Sequence, residues 1–180
     1  MSIRNIANVS LCLALLSVGN GVAAQNESRW HNVDINQQNR EPRRAAFFAY
    51  ETLDKAQSFD KKKSANYLSM EGMWKFNFVK DYNKRPANFF AANYDDSEWK
   101  DFPVPGLFEL NGYGDATYKN VGYAWATQFD PNPPYISELN NYTGSYRRTF
   151  DLPKDWKGKD VYFHVGSATS NLTLWVNGKY

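Results

Sequence analysis

The chain has 180 residues, of which 42% are hydrophobic and 17% aromatic, a size and composition that suit one globular domain or part of a larger one. Its formal net charge of +2 is too small for a nucleic-acid-binding footprint. The run Lys61-Lys62-Lys63 is expected to face water, as short charge runs usually do.

Aromatic residues are over-represented, with 12 Phe, 12 Tyr and 6 Trp. Such rings fill the cores of β-sandwiches. They also line carbohydrate sites, where a ring face packs on the C–H face of a sugar. The composition therefore leaves both a structural and a sugar-binding explanation open.

Residues 1–24 have the layout of a secretory signal: Arg4, then the apolar run "VSLCLALLSVG", then "VAA" before Gln25. The apolar run is too short for a membrane span. The only cysteine, Cys12, lies in this segment, and the sequence leaves lipidation at Cys12 undecided. We expect an exported protein, periplasmic or extracellular, without a zinc site because no cysteine remains after cleavage.

Residues 25–66 are polar and irregular and predict an extended amino-terminal arm, followed by the main domain at 67–180. Near its end, "FAYETLDKAQSFD" is compatible with a short helical turn, and the rings of Phe47, Phe48 and Tyr50 are expected to dock on another part of the protein.

The main domain has β patterns in order. "GMWKFNFV" places Trp74, Phe76 and Phe78 on one face of a strand, and "WKDFPVPG" is a short extended piece stopped by prolines. Further strands are predicted at "SYRRTFDL", "KDVYFHVG" and "NLTLWVNGKY". The strand "NLTLWVNGKY" should turn Leu172, Leu174 and Val176 inward and Trp175 outward. The strand "KDVYFHVG" should turn Val161, Phe163 and Val165 inward.

Asn177-Gly178 is a strong hairpin signal because both turn positions tolerate positive φ. The chain ends two residues later, which leads us to expect a fragment that stops before its last strands. The patterns predict an all-β domain of the sandwich type.

No pair of catalytic carboxylates stands out. Asp95-Asp96 in "YDDSEW" has the composition of a turn. Glu109 borders an aromatic loop, but glycoside cleavage needs two carboxyls about 5 to 10 Å apart, and no partner acid is evident.

The other polar candidates have structural explanations. His164 is expected to be a hydrogen-bonded histidine of the sheet. The side chains of Arg147 and Arg148 should point to opposite faces of a strand, one packing along the sheet and the other pairing with a carboxylate.

The stretch "ELNGYGDATYKNVGYAW", residues 109–125, combines four aromatic residues with three glycines. Glycines let the backbone turn sharply, and rings give the loop mass to pack, so the combination predicts a loop of fixed shape. Asn120 could offer its amide to a ligand hydroxyl. From the residues alone, a binding loop and a loop buried against another domain are equally supported.

Six ordered motifs carry a family resemblance: "NREP", "YLSMEGMWKFNFV", "YDDSEWKDFPVPG", "LNGYGDATYKNVGYAW", "GSYRRTFDLPKDWKGKDVYFHVG" and "LWVNGK". In this order they resemble the amino-terminal sugar-binding domain of glycoside hydrolase family two, in particular exported bacterial β-galactosidases of the large lac type. The resemblance covers about residues 30–180.

The resemblance implies a jelly-roll β-sandwich, truncated here before its last strands, at the front of a longer chain with immunoglobulin-like domains and a TIM barrel. It implies a retaining hydrolysis of terminal non-reducing β-D-galactose, with both catalytic glutamates in the barrel beyond Tyr180 and no catalytic residue in this chain. It leaves open Mg²⁺ and Na⁺ ions and homo-oligomerisation of the full-length enzyme. It implies a β-galactoside or oligosaccharide substrate.

By match to the family's "Y-x-N-V" loop, Asn120 would contact the galactosyl unit, with Val121 beside it. Gly112, Tyr113, Gly114 and Tyr118 would shape the loop. One departure is Asp115-Ala116-Thr117-Tyr118, where relatives usually have "DPIY". An alternative function from another class is a stand-alone, non-catalytic carbohydrate-binding module.

Overall fold

The computed structural model describes residues 31–43, 45, 47–116, 132, 134, 135, 137 and 140–180. The chain divides into two compact units, residues 1–42 with 117–141 and residues 43–116 with 142–180. In the first unit the rings of His31 and Tyr135, which are far apart in sequence, lie with their centroids 5.4 Å apart. The regular elements of the described residues all belong to the second unit.

The second unit is built on a three-stranded antiparallel sheet of order β2-β1-β3. The strands are β1 (Gly72–Val79), β2 (Lys100–Val104) and β3 (Thr143–Arg147). The predicted strand "GMWKFNFV" is confirmed with its bounds. Pro103 lies in β2, an edge strand of this three-stranded sheet, which is where proline is tolerated in sheets.

The core of the unit is an aromatic cluster centred on Phe76. Phe76 and Phe102 are only 2% and 1% exposed. The ring of Phe76 lies 4.4 Å from that of Phe102, 4.7 Å from Tyr146 and 4.9 Å from Tyr113, centroid to centroid. The period-2 pattern of β1 places its rings on this face, while Lys75 on the other face pairs with Asp101 at 3.3 Å.

A short helix, α1 (Leu53–Gln57), precedes the sheet and is capped by the Thr52 side chain, which accepts from the Lys55 N–H. This confirms the predicted helical turn. The Lys61–Lys63 run forms an exposed 3₁₀ turn, as expected of a solvated charge run. Phe48 packs edge-on against Tyr50 and Tyr67.

The predictions for residues after β3 were wrong in part. β3 ends at Arg147, so 148–152 are not strand, and neither are 159–166 and 171–175. Their predicted inward residues are 36% to 54% exposed. An antiparallel strand forms only where it can hydrogen-bond to a neighbouring strand. The Val176–Lys179 bridge is the only β pairing within 159–180, so these segments lack such a neighbour. His164 accordingly lies exposed, outside any sheet.

The prediction for Trp175 was also wrong. Its ring stacks on Phe90 at 5.1 Å and meets Phe89 edge-on at 5.4 Å, so it packs inward. Alternation of apolar and polar residues predicts the direction of a side chain only when the strand is paired in a sheet. Here the segment is unpaired, and the rings of Phe89 and Phe90 form the surface on which Trp175 packs. The hairpin turn itself is confirmed: Asn177 and Gly178 have φ of 51° and 77°, and Val176 and Lys179 exchange both hydrogen bonds.

Among the described residues, an antiparallel sheet with a single five-residue helix is consistent with the expected all-β, jelly-roll class. No helix in the described ranges has the length and apolar character needed to cross a membrane.

Candidate functional site

The stretch that opens the aromatic loop turns sharply at two glycines. A 3₁₀ turn, Glu109–Asn111, ends at Gly112 with φ of 80°, and Gly114 follows with φ of 74°. Both values lie in the region that favours glycine. The Tyr113 N–H donates to the Phe108 carbonyl at 3.0 Å, which closes the turn.

Tyr113 fastens this turn to the sheet. Its ring centroid lies 4.9 Å from Phe76, 5.3 Å from Phe78 and 5.9 Å from Phe102. Offset and edge-on ring pairs at such distances add stability beyond the area they bury. The first part of the loop is therefore both glycine-jointed and packed against the core.

Gly114 has a second constraint besides its φ. A Cβ at this position would lie 3.0 Å from the Tyr142 ring, so a side chain here would push that ring away. The Tyr142 ring also packs edge-on against Phe78 at 5.5 Å. Gly114 thus lets the loop backbone approach a ring that lies next to β3.

A polar contact accompanies this packing. The Tyr142 hydroxyl donates a hydrogen bond to Asp115 Oδ2, and Lys80 Nζ lies 4.0 Å from Asp115 Oδ1 and 5.7 Å from the Tyr142 ring centroid. The hydrogen bond to the Asp115 carboxylate, together with burial, raises the pKa of Tyr142 above its usual value.

Three predicted site residues, Tyr118, Asn120 and Val121, lie outside the described residues. Gly112, Tyr113 and Gly114 lie together at the start of the loop and belong to the second unit. The roles assigned to all six by the family motif remain predictions.

The acidic candidates have structural partners. Asp95 Oδ1 accepts from the Ser97 N–H at 3.0 Å, and this bond lowers the pKa of Asp95. Asp96 Oδ2 accepts from Arg147 Nε at 2.7 Å. Glu109 begins the exposed 3₁₀ turn. The prediction that "YDDSEW" is a structural turn is confirmed, and so is the pairing of one arginine with a carboxylate.

Arg148 contacts the opposite side, as predicted. Its Nη1 donates to the Met70 and Glu71 carbonyls at 2.8 and 2.9 Å, and its guanidinium lies 5.8 Å from the Trp74 ring centroid. The strand periodicity predicted this division. The periodicity could not predict that Tyr142 and Lys80 contact Asp115, because nothing local in the sequence links them to it.

Comparison with known proteins identifies the domain. Residues 67–180 match the family described as "Glycosyl hydrolases family 2, sugar binding domain". The chain belongs to glycosyl hydrolase family 2. The resemblance stated from the six motifs is confirmed, and the sheet, the aromatic core and the Gly112–Asp115 turn all lie within its sugar-binding domain.

The relatives of this family 2 chain are much longer than the chain itself. It is 33% identical over 150 residues to a protein from Priestia megaterium named "Beta-galactosidase", covering 83% of this chain and 14% of that protein. It is 31% identical over 155 residues to a "Beta-galactosidase" from Halalkalibacterium halodurans, covering 86% and 15%. A "Beta-galactosidase large subunit" from Leuconostoc lactis is 32% identical over 124 residues, covering 62% and 20%.

Proposed function

We propose that this chain is the sugar-binding domain of an exported β-galactosidase that hydrolyses terminal non-reducing β-D-galactose residues with retention of configuration. The observation that carries the proposal is the similarity to proteins named "Beta-galactosidase" over more than four fifths of the chain. Immunoglobulin-like domains and a TIM barrel with the two catalytic glutamates would occupy the remaining length of such a protein.

In this proposal the loop that begins at Gly112 forms one wall of the active site. Its opening turn is fixed to the sheet by the ring of Tyr113. A fixed loop can hold a side-chain amide in place without ordering it again at each turnover. Asn120 would donate or accept a hydrogen bond at a galactosyl hydroxyl, and Val121 would pack beside it.

The chemistry itself is assigned to the rest of the enzyme. Asp95 and Asp96 are engaged in a turn and an ion pair, so neither suits an acid/base or nucleophile role. The purified 180-residue chain should release no nitrophenol from nitrophenyl β-D-galactoside. Release that is abolished by changing an acid of this chain would contradict the assignment.

Metal ions have no role in the proposal for this domain. The resemblance leaves Mg²⁺ and Na⁺ open for the full-length enzyme, but the described residues contain no group of three His, Cys, Asp or Glu side chains placed to hold an ion.

The activity is tested on the full-length protein with nitrophenyl β-D-galactoside, β-D-glucuronide and β-D-mannoside. We expect the highest kcat/KM for the galactoside, and proton NMR should show β-galactose as the first product released, as retention requires. A higher kcat/KM for the glucuronide or mannoside would contradict the substrate assignment, and α-galactose as first product would contradict retention.

Export is proposed from residues 1–24. Amino-terminal sequencing of the protein from its native host should begin at Gln25 or within a residue or two of it. Cytoplasmic protein that retains Met1 would contradict export without affecting the substrate assignment.

A further inference from the structure

Asn-Gly pairs occupy two turns of the second unit. Asn111-Gly112 ends the 3₁₀ turn that precedes the aromatic loop, and Asn177-Gly178 forms the hairpin turn. An asparagine before glycine is open to loss of its side-chain amide, because glycine has no Cβ to block attack by its nitrogen on the asparagine side chain. Both asparagines are exposed. Exposure therefore does not separate the two pairs, and their hydrogen bonds decide which one reacts.

Both reacting groups of the Asn111-Gly112 pair are engaged. The side-chain Nδ2 of Asn111 donates to the Leu107 carbonyl at 2.8 Å, and the Gly112 N–H donates to the Glu109 carbonyl at 3.4 Å. The residue that follows, Tyr113, packs its ring against the core. A turn anchored in this way opens only when core contacts are broken.

The Asn177-Gly178 pair lacks these restraints. Within the part of the chain that the structure describes, neither the Asn177 side-chain amide nor the Gly178 N–H donates a hydrogen bond. The turn is closed by the two hydrogen bonds between Val176 and Lys179, and residues 171–175 before it are not paired in a sheet. A turn closed by so few bonds opens locally at little cost, and opening lets the Gly178 nitrogen approach Asn177 Cγ.

We propose that Asn177 is a site of spontaneous deamidation, whereas the fold protects Asn111. The Gly178 backbone nitrogen loses its proton to solvent and attacks Asn177 Cγ. The bond between Cγ and Nδ2 then breaks, ammonia leaves, and a cyclic succinimide remains. Water opens this ring at either carbonyl and gives aspartate or isoaspartate. The net reaction exchanges ammonia for water and needs no oxidant, cofactor or second protein.

The products change the hairpin. Either one places a negative charge next to Lys179, and isoaspartate also inserts the side-chain CH₂ into the main chain, which a two-residue turn does not accommodate. The turn lies close to the 89–90 segment, because a Cβ on Gly178 would be 3.5 Å from the Phe90 carbonyl oxygen. Trp175 stacks on the Phe90 ring at 5.1 Å. Deamidation therefore loosens the packing of this hairpin on residues 89–90.

The two Asn-Gly pairs serve as each other's control. The purified full-length protein is aged in mildly alkaline buffer, digested, and analysed by mass spectrometry for aspartate and isoaspartate at positions 111 and 177. We expect conversion at Asn177 to be at least about tenfold faster than at Asn111, because at Asn111 hydrogen bonds of the amide and of the turn have to break first. Equal rates, or faster conversion at Asn111, would overturn the proposal.

Ageing in urea tests whether the fold causes the difference. In the unfolded protein both pairs lose their hydrogen bonds, so the two rates should agree within about twofold. A tenfold ratio that persists in urea would show that the neighbouring residues, and not the hydrogen bonds of the fold, set the rates, and would overturn the structural explanation.

A variant tests the attacking nitrogen. Gly178→Ala places a methyl group beside this nitrogen and should slow conversion at Asn177 about tenfold. Because Gly178 has φ of 77°, a side chain also strains the folded turn, and the variant is therefore compared with wild type in urea, where this strain is absent. Conversion at the wild-type rate in urea would overturn the succinimide route. The assay measures no hydrolytic activity, so its result is independent of the proposed function.

Discussion

Arg147 and Asp96 form an ion pair across 51 residues of sequence, with Arg147 Nε donating to Asp96 Oδ2 at 2.7 Å. The same guanidinium donates to the carbonyls of Phe89, Ala91 and Tyr94 and lies 5.4 Å from the Tyr94 ring centroid. A single side chain on β3 thus ties the 89–96 segment to the sheet.

Loss of this pair should destabilise the domain. The two side chains are 18% and 30% exposed, so Asp96→Ala leaves a largely desolvated guanidinium short of one charged partner. We expect a loss of about 1 to 3 kcal/mol in the free energy of unfolding, measured by urea denaturation. Asp101→Ala is the matched control, because its pair with Lys75 is 39% and 60% exposed and should contribute at most about 0.5 kcal/mol. Equal effects of the two substitutions would contradict this account.

Gly144 in β3 should tolerate no side chain. A Cβ there would lie 2.6 Å from Phe76 Cε2 and 2.8 Å from Phe108 Cζ, inside the aromatic core. Gly144→Ala should therefore cost about 1 to 3 kcal/mol through overpacking, seen as a lower melting temperature. Gly166→Ala meets no atom within 4 Å and serves as the control. A Gly144→Ala protein as stable as wild type would show that the rings around Phe76 repack freely.

Because the phenol of Tyr146 is buried, the domain should lose stability in alkaline solution. Burial raises the pKa of Tyr146 to about 12, whereas an unfolded tyrosine ionises near its ordinary pKa of about 10. The folded state therefore binds the proton more tightly, and this contribution is full below about pH 10 and is lost as the pH rises towards 12. The melting temperature of wild type should therefore fall relative to that of Tyr146→Phe as the pH rises across this range. A difference that does not change with pH would contradict the burial of the phenol.

The sequence predicted the elements that have a strong residue pattern of their own and a neighbouring strand to pair with. β1 was found because Trp74, Phe76 and Phe78 alternate with polar residues, and both neighbours of this strand are present in the structure. The opposite directions of Arg147 and Arg148 followed from the same period. By contrast, "KDVYFHVG" has the pattern of a strand but lies unpaired, because periodicity describes a face and does not supply a neighbour.

The candidate site was predictable only in part. Glycines and rings in one stretch indicated a turn that packs, and Gly112, Tyr113 and Gly114 have that geometry. The contact between Asp115 and Tyr142 joins residues 27 positions apart. No local rule links a turn aspartate to a distant tyrosine. The role of Asn120 came from the family motif, since the local sequence does not distinguish an asparagine that binds a ligand from one with a structural role.

The most direct test of the central claim is the kinetics of Asn120→Ala in the full-length enzyme, with Asn141→Ala as the matched control. If the amide bonds a sugar hydroxyl more tightly in the transition state, the variant should lower kcat as well as raise KM. One lost hydrogen bond that leaves its partner unsatisfied is worth about 1 to 3 kcal/mol, which corresponds to about a tenfold to hundredfold lower kcat/KM. Asn141→Ala should change kcat/KM little. A folded Asn120→Ala enzyme with kcat/KM within about twofold of wild type would contradict the claim that this loop binds the substrate.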